Sequence, residues 1–228
     1  MGAAEHYKLT DCEIAICCSS NIGEDIHINT VLGILNKAKV PVTAMQAGAQ
    51  YPDHKETTDK IMARGLAPSP LYKSCSGKHS GMLITAKHMG EDLVTYLDIS
   101  HPVQQRILKN ISEVTETPIA EIEIAEDGCG ALVQGIPLRN FAHGLAKMAT
   151  GIGLEPRRAD ICKKIMRACI LNPQMVAGTG KFCTLLMAAS KGRIFAKSGA
   201  QGIYAVADMD SGISIISKNL CWTFRVGV

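Results

Sequence analysis

The sequence predicts an α+β fold, and three observations carry that reading. Apolar residues recur at helical spacing in several segments between residues 24 and 171. Three short runs, 193–196, 202–207 and 212–216, follow one another through short turns and read as an antiparallel meander. A continuous apolar run at 13–18 (EIAICC) adds a strand near the other end. Strands at both ends with helices between make a layered α+β arrangement, not a strictly alternating parallel one.

In chain order, the strand at 13–18 breaks at Ser19-Ser20-Asn21-Ile22-Gly23. Residues 24–38 carry apolar side chains at 28, 31, 32, 34 and 35, one face of a helix. A short strand follows at 40–44, then a loop at 46–53 with Gly48 and Pro52. Residues 55–64 form a short helix stopped by Gly65, and Ala67-Pro68-Ser69-Pro70 punctuates the chain. The segment 74–89 starts Ser- and Gly-rich and turns helical. It is a loop feeding a helix N-terminus, where free N–H groups favour anions. A helix at 101–114 has Pro102 in its first turn, where the missing N–H costs nothing. Residues 122–125 lead into a tight turn, Glu126-Asp127-Gly128-Cys129-Gly130. Helices at 137–148 and 157–171 follow, the second stopping at Asn172-Pro173. A Gly-rich loop at 176–181 (VAGTGK) and a short helix at 183–189 precede the meander. Residues 221–228 fit neither pattern. With no internal repeat and no linker, residues 1–228 read as one domain.

Composition narrows the function classes. The chain has 228 residues, 46% hydrophobic and 20% charged, with a formal net charge of +3. Such proportions suit a globular protein with a substantial core and argue against a disordered chain. No basic stripe stands out and only 4% of residues are aromatic, so nucleic acid is not an expected partner. No apolar stretch is long enough to cross a membrane, and residues 1–10 lack the pattern of a targeting segment. The nine cysteines are odd in number and scattered, unlike a disulfide scaffold. Reduced thiols in the cytoplasm are expected, with Cys17, Cys162 and Cys169 acting as small core hydrophobes.

Several motifs bear on chemistry. Lys197-Ser198-Gly199 follows a strand, and Ser19-Ser20-Asn21 comes early. That order resembles the S-D-N and K-T-G signatures of the penicillin-binding and β-lactamase enzymes. A lysine beside a serine hydroxyl can shift its proton; the alternative is an ordinary turn between strands. The third signature, S-x-x-K, occurs nowhere in the chain; residues 57–60 match only with threonine. Cys75-Ser76-Gly77-Lys78-His79 and Asp127-Gly128-Cys129-Gly130 are compact polar turns that each present a thiol. They could supply zinc ligands, or be two loop cysteines with nothing bound. Neither VAGTGK nor the G-K-H turn has the frame of a phosphate-binding Walker A loop. His27 either orients the Ser-Asn turn or is simply exposed.

Taken together, residues 19–27, 75–83, 127–130, 172–182 and 193–204 resemble the asparaginase II family, the rhizobial-type class distinct from the threonine-dependent asparaginases. The likeness runs from the first residues to about residue 218. It implies hydrolysis of L-asparagine to L-aspartate and ammonia by a homodimer, on an α+β fold related to serine β-lactamases and glutaminases. The family uses two serine–lysine pairs, and one of them maps onto Ser20 and Lys197. Its zinc site maps onto Cys75, Lys78 and Cys129, with His79 and Asp127 beside the substrate and Cys183 close by. A lysine ligand requires a neutral amine, whose pKa must fall greatly.

The chain departs from the family pattern in three places. The R-S-x-x-K segment of the other pair is missing, Asn21 stands where the family has histidine, and CWTFRVGV (221–228) is unlike the family's ending. These differences predict a chain shortened at both ends, with weak or no activity. A non-catalytic remnant that binds zinc or an amino acid is the alternative. A β-lactamase-like acyl enzyme acting on cell-wall peptides is a third reading.

Overall fold

The computed structural model describes residues 2–218. Helices α1 (Gly2–His6), α2 (Asp11–Cys17), α3 (Asp25–Lys37), α4 (Lys55–Ala63), α5 (Ser76–Met89) and α6 (Pro102–Thr115) come first. The hairpin β1 (Glu123–Glu126) and β2 (Leu132–Gly135) follows, then α7 (Leu138–Thr150), α8 (Pro156–Leu171), α9 (Pro173–Val176) and α10 (Phe182–Ala189). Strands β3 (Ile194–Ser198), β4 (Tyr204–Asp208) and β5 (Ser214–Ser217) close the order. The class is α+β. Both sheets are antiparallel and both lie in the second half of the chain, so the expected strand at the N-terminal end is corrected.

The run at 13–18 is helical because it is capped. Thr10 Oγ1 accepts the Glu13 N–H, and the Glu13 carboxylate accepts the Thr10 N–H at 2.7 Å, a reciprocal capping box. Helix α2 packs against α3, α5 and α8, and Ala15 and Ile16 are completely buried. A helix covered on several sides reads as a continuous apolar run, which periodicity cannot tell from a buried strand. The expected strand at 40–44 fails for another reason. Pro41 has no N–H to give a ladder, and residues Val42–Ala44 close a 3₁₀ turn instead.

Helices α3 to α8 and α10 fall near their expected places, whereas α1 and α9 had no expected counterpart. Pro102 opens α6 behind His101, whose Nδ1 accepts the Val103 N–H. Val31, Ile34 and Leu35 line the buried face of α3. Each buried aliphatic side chain of this kind contributes roughly 1.5–3 kcal/mol. Cys162 and Cys169 are buried as small hydrophobes, whereas Cys17 is only partly covered. Among the described residues every cysteine is a free thiol, and no helix is long and apolar enough to cross a membrane. The segment 221–228, which matched no pattern, lies outside the described residues.

The late strands form a sheet in the order β3-β4-β5. Ala205 and Ala207 alternate inward and pack with Leu145, Ala149 and Met166 of α7 and α8. In β3, Ala196 is completely buried, so the pleat turns Lys197 to the other face. The turn at 126–130 is the tip of the β1–β2 hairpin, in register Glu126↔Leu132; β2 itself had no clear sequence signal.

Helices α2 and α5 meet backbone to backbone. A Cβ on Gly77 would lie 1.9 Å from the Ile16 carbonyl oxygen, whereas one on Gly81, a turn further along, would meet Cys17 at 3.3 Å. Gly77→Ala is therefore expected to lower stability by about 3 kcal/mol or more. In Gly81→Ala a small clash opposes a helix-propensity gain of up to about 1 kcal/mol. Urea unfolding of the two variants measures both; equal costs would contradict the close approach.

Candidate active site and thiol cluster

Helix α2 ends at Cys17, and the chain turns through Ser19-Ser20-Asn21 beside the start of α5. Asn21 is buried and holds this turn. Its Nδ2 donates to Ser19 Oγ at 3.1 Å and to the Ser74 carbonyl at 3.2 Å, and its Oδ1 accepts the Gly23 N–H at 2.9 Å. Its backbone N–H also donates to the Ser74 carbonyl, and the Ser20 N–H donates to the Val176 carbonyl. A residue with both donor and acceptor is needed here, which an amide supplies.

The Gly-rich loop supports the same turn. At Gly178 the backbone has φ +121°, and a Cβ would lie 2.5 Å from Ile22. The Thr179 N–H donates to Glu24 Oε2 at 3.0 Å. His27 is buried, not exposed: Nδ1 accepts the Glu24 N–H at 3.0 Å and Nε2 faces the Gln174 carbonyl at 2.8 Å. It ties the first turn of α3 to the segment before the Gly-rich loop. Burial lowers its pKa, in keeping with a neutral ring that accepts at Nδ1.

Lys197 on β3 reaches across to Ser20. Its Nζ donates to Ser20 Oγ at 3.0 Å and to the Ser198 carbonyl at 2.5 Å. Desolvation lowers the lysine pKa, opposed by nearby thiols on Cys183, Cys75, Cys18 and Cys169. The Cys183 sulfur accepts the Ser198 N–H at 3.1 Å, which places that thiol under the end of the same strand.

The second group assembles from α5 and the β1–β2 hairpin. Cys75 Sγ, an Asp127 oxygen and Cys129 Sγ all lie within 4.8 Å of one another. Asp127 shapes the hairpin tip by accepting the Cys129 N–H at Oδ1 (2.8 Å), and the Cys129 thiol donates to the same oxygen at 2.7 Å. Lys78 pairs with the other oxygen at 2.5 Å. Burial alone would favour a neutral Lys78 amine, but the Asp127 hydrogen bond and nearby thiols outweigh it and raise the pKa. Cys75, Cys129 and Asp127 thus lie together, and Lys78, the third zinc ligand that the resemblance implies, joins the same group through the Asp127 carboxylate. Two sulfurs and an oxygen suit a borderline-soft divalent cation such as zinc.

His79 is completely buried behind this group. Its Nε2 lies 3.1 Å from Cys129 Sγ and its Nδ1 2.5 Å from Tyr96 Oη. Tyr96 carried no sequence signal; it is a lone aromatic in a mixed loop, and only the fold delivers it here. Sequence spacing also could not place Ser74 and Val176 as the carbonyls that hold the serine turn.

The two groups adjoin, because Asn21 bonds Ser74 and Ser74 precedes Cys75. A separate apolar groove of about 810 Å³ lies between α6, α7 and α8 around Ile111, Phe141 and Ile161 and shares no lining residue with either group.

The thiols are driven apart. Hydrogen bonding from Cys129, then the Lys78 charge, overcome burial and lower the Cys75 pKa to about 6. The same hydrogen bond and burial push Cys129 up to about 12. In metal-free protein the alkylation rate of Cys75 is expected to climb through about pH 6 and level off above it. Lys78→Met should move that midpoint upward, since it removes a stabilising positive charge. Iodoacetamide labelling followed by peptide mass analysis reads the midpoint; a Cys75 that titrates near 9, the ordinary thiol value, would contradict this account.

No curated protein matches this chain. The family model described as L-asparaginase II matches residues 1–219, and the chain accordingly belongs to the L-asparaginase II family.

Proposed function

We propose that this chain carries the proton-transfer pair and the substrate-facing thiol cluster of an L-asparagine amidohydrolase. The observation that supports it best is the 3.0 Å contact between Lys197 Nζ and Ser20 Oγ, with the amine desolvated. Lowering a lysine pKa increases the fraction of free amine near neutral pH, and a free amine can accept a hydroxyl proton. In this reading the Lys197–Ser20 pair takes up the proton released as a nucleophile's hydroxyl adds to the amide carbonyl and passes it to the nitrogen, which leaves as ammonia; water then cleaves the ester and restores the hydroxyl. Well-placed acid–base groups of this kind contribute roughly 10²–10⁴ in rate.

Cys75 and Cys129 would hold zinc together with Lys78, as the resemblance implies, once the amine lets go of Asp127, or with Asp127 itself, whose oxygen lies within 4.8 Å of both sulfurs. Zinc, when bound, supplies positive charge that polarises a carbonyl oxygen. Asp127 and Lys78 also offer opposite charges suited to the amino and carboxylate groups of an α-amino acid. His79, which the resemblance sets beside the substrate, has its two ring nitrogens against Tyr96 and Cys129 and so supports the cluster from behind.

The serine nucleophile that the family resemblance expects, in S-x-x-K form, is not among these 228 residues. Loss of one member of a coupled catalytic set costs roughly 10⁴–10⁶ in rate. Weak or absent turnover by these residues alone follows, and binding of zinc or of an amino acid without catalysis is the second reading, favoured by that same missing motif.

Ammonia release from L-asparagine separates the two. The chain alone is expected to be near background, and a version with an S-x-x-K segment joined ahead of residue 1 is expected to turn over asparagine. In that version Lys197→Met should lose about 10²–10⁴ in kcat. No turnover by the extended version would remove the substrate assignment. Metal analysis of the purified chain beside Cys129→Ser tests the cluster: zinc in the parent and little in the variant is expected, and equal negligible amounts would remove zinc from the proposal.

A further inference from the structure

The groups behind Cys129 form a line in which every hydrogen bond has one possible direction. The backbone N–H of Gln46 can only donate, and it meets Tyr96 Oη at 3.0 Å. Tyr96 is completely buried, so its single hydroxyl proton needs an acceptor within the protein. Among the described residues the other partner of that oxygen is His79 Nδ1, at 2.5 Å. The proton therefore points at Nδ1, which must present its lone pair. The hydrogen of the neutral ring then sits on Nε2, 3.1 Å from Cys129 Sγ. An Nδ1–H ring, or a doubly protonated one, would leave the buried tyrosine proton without an acceptor.

The direction carries on through the cluster. With a lone pair used by His79 Nε2–H, the Cys129 thiol is free to donate to Asp127 Oδ1 at 2.7 Å. The second carboxylate oxygen is taken by Lys78. The chain runs one way from the Gln46 amide to the Cys129 sulfur, whose single thiol proton then goes to Asp127 or to Cys75. The rings of His79 and Tyr96 stand edge to face, with centroids 5.7 Å apart and planes at 85°, both fully enclosed. Neither can turn without breaking a neighbour's bond.

We propose that Tyr96 is a positioning residue for this site: its hydroxyl locks His79 as the Nε2–H tautomer, so that the imidazole always offers an N–H to the Cys129 sulfur. The consequence for the cluster rests on the proposed reading of Cys75, Cys129 and Asp127 as metal-holding residues. A sulfur that accepts a fixed N–H is held in one orientation toward a bound cation. Outer partners of this kind change metal affinity by about 10–100-fold when removed.

The lock itself is read without metal and without substrate. Nitrogen NMR of the metal-free chain, labelled with ¹⁵N at histidine, should show His79 with a protonated Nε2 and a bare Nδ1. Tyr96→Phe should give a mixture of the two tautomers. Unfolding midpoints show whether that variant keeps its fold, and His79→Gln, which retains a side-chain N–H near the sulfur, provides a second comparison. Cobalt(II) added as the only metal probe should bind Tyr96→Phe about 10–100-fold more weakly, with a shifted sulfur-to-cobalt band. In the His79→Gln background the loss of the tyrosine hydroxyl should have little further effect. A native His79 protonated at Nδ1, or a Tyr96→Phe chain still wholly Nε2–H, would overturn the proposal. Failure of the native chain to bind cobalt, with the tautomer result intact, would instead remove the metal reading and leave the lock standing.

Discussion

The backbone contact between α2 and α5 is the constraint on which the rest depends. Gly77 lets the first turn of α5 rest against the Ile16 carbonyl, a distance no side chain would allow. The serine turn leaves from the end of α2, and the thiol-bearing turn enters the start of α5. Two helices in backbone contact therefore deliver Ser20 and Cys75 to neighbouring places. Asn21 joins them through Ser74, and the Gly-rich loop closes on Ile22 from the other side. Lys197 then needs only to come off the correct face of β3, which the burial of Ala196 ensures.

Electrostatics within this small region oppose one another. Burial lowers the Lys197 pKa, while Lys78, also partly buried, is held charged by Asp127. Cys75 and Cys129 are the same kind of group a few ångströms apart, yet one is shifted down and the other up. The difference lies in their partners: Cys75 has the Cys129 thiol and a cation beside it, whereas Cys129 lies against the Cys75 sulfur and a carboxylate. Neighbouring titratable groups with diverging environments are what acid–base chemistry near neutral pH requires. The Ser20–Lys197 contact lies beside these separated thiols.

How far this could be read in advance varied with the kind of signal. Helices with one apolar face and a Pro or Gly at the boundary, such as α6, were legible because both features are local. The run EIAICC was not, since burial on several sides erased the periodicity; the Thr10–Glu13 capping box was the local sign that it is helical. The β-branched, apolar composition of 40–44 reads as a strand, but Pro41 withholds the N–H that a ladder needs. The hairpin around Cys129 was legible at its tip and not in β2, whose residues alternate weakly.

The residue types of the site, its two thiol turns and the late Lys-Ser-Gly were determined by the sequence by itself, since they are matters of identity and short spacing. Tertiary structure alone decided which of them meet. Ser20 and Lys197 are 177 positions apart, and Lys78 and Asp127 are 49 apart. No local rule relates residues at such separations. The direction of the hydrogen bonds from Gln46 to Cys129 was likewise beyond sequence, because a hydroxyl or an imidazole donates or accepts according to what burial leaves beside it.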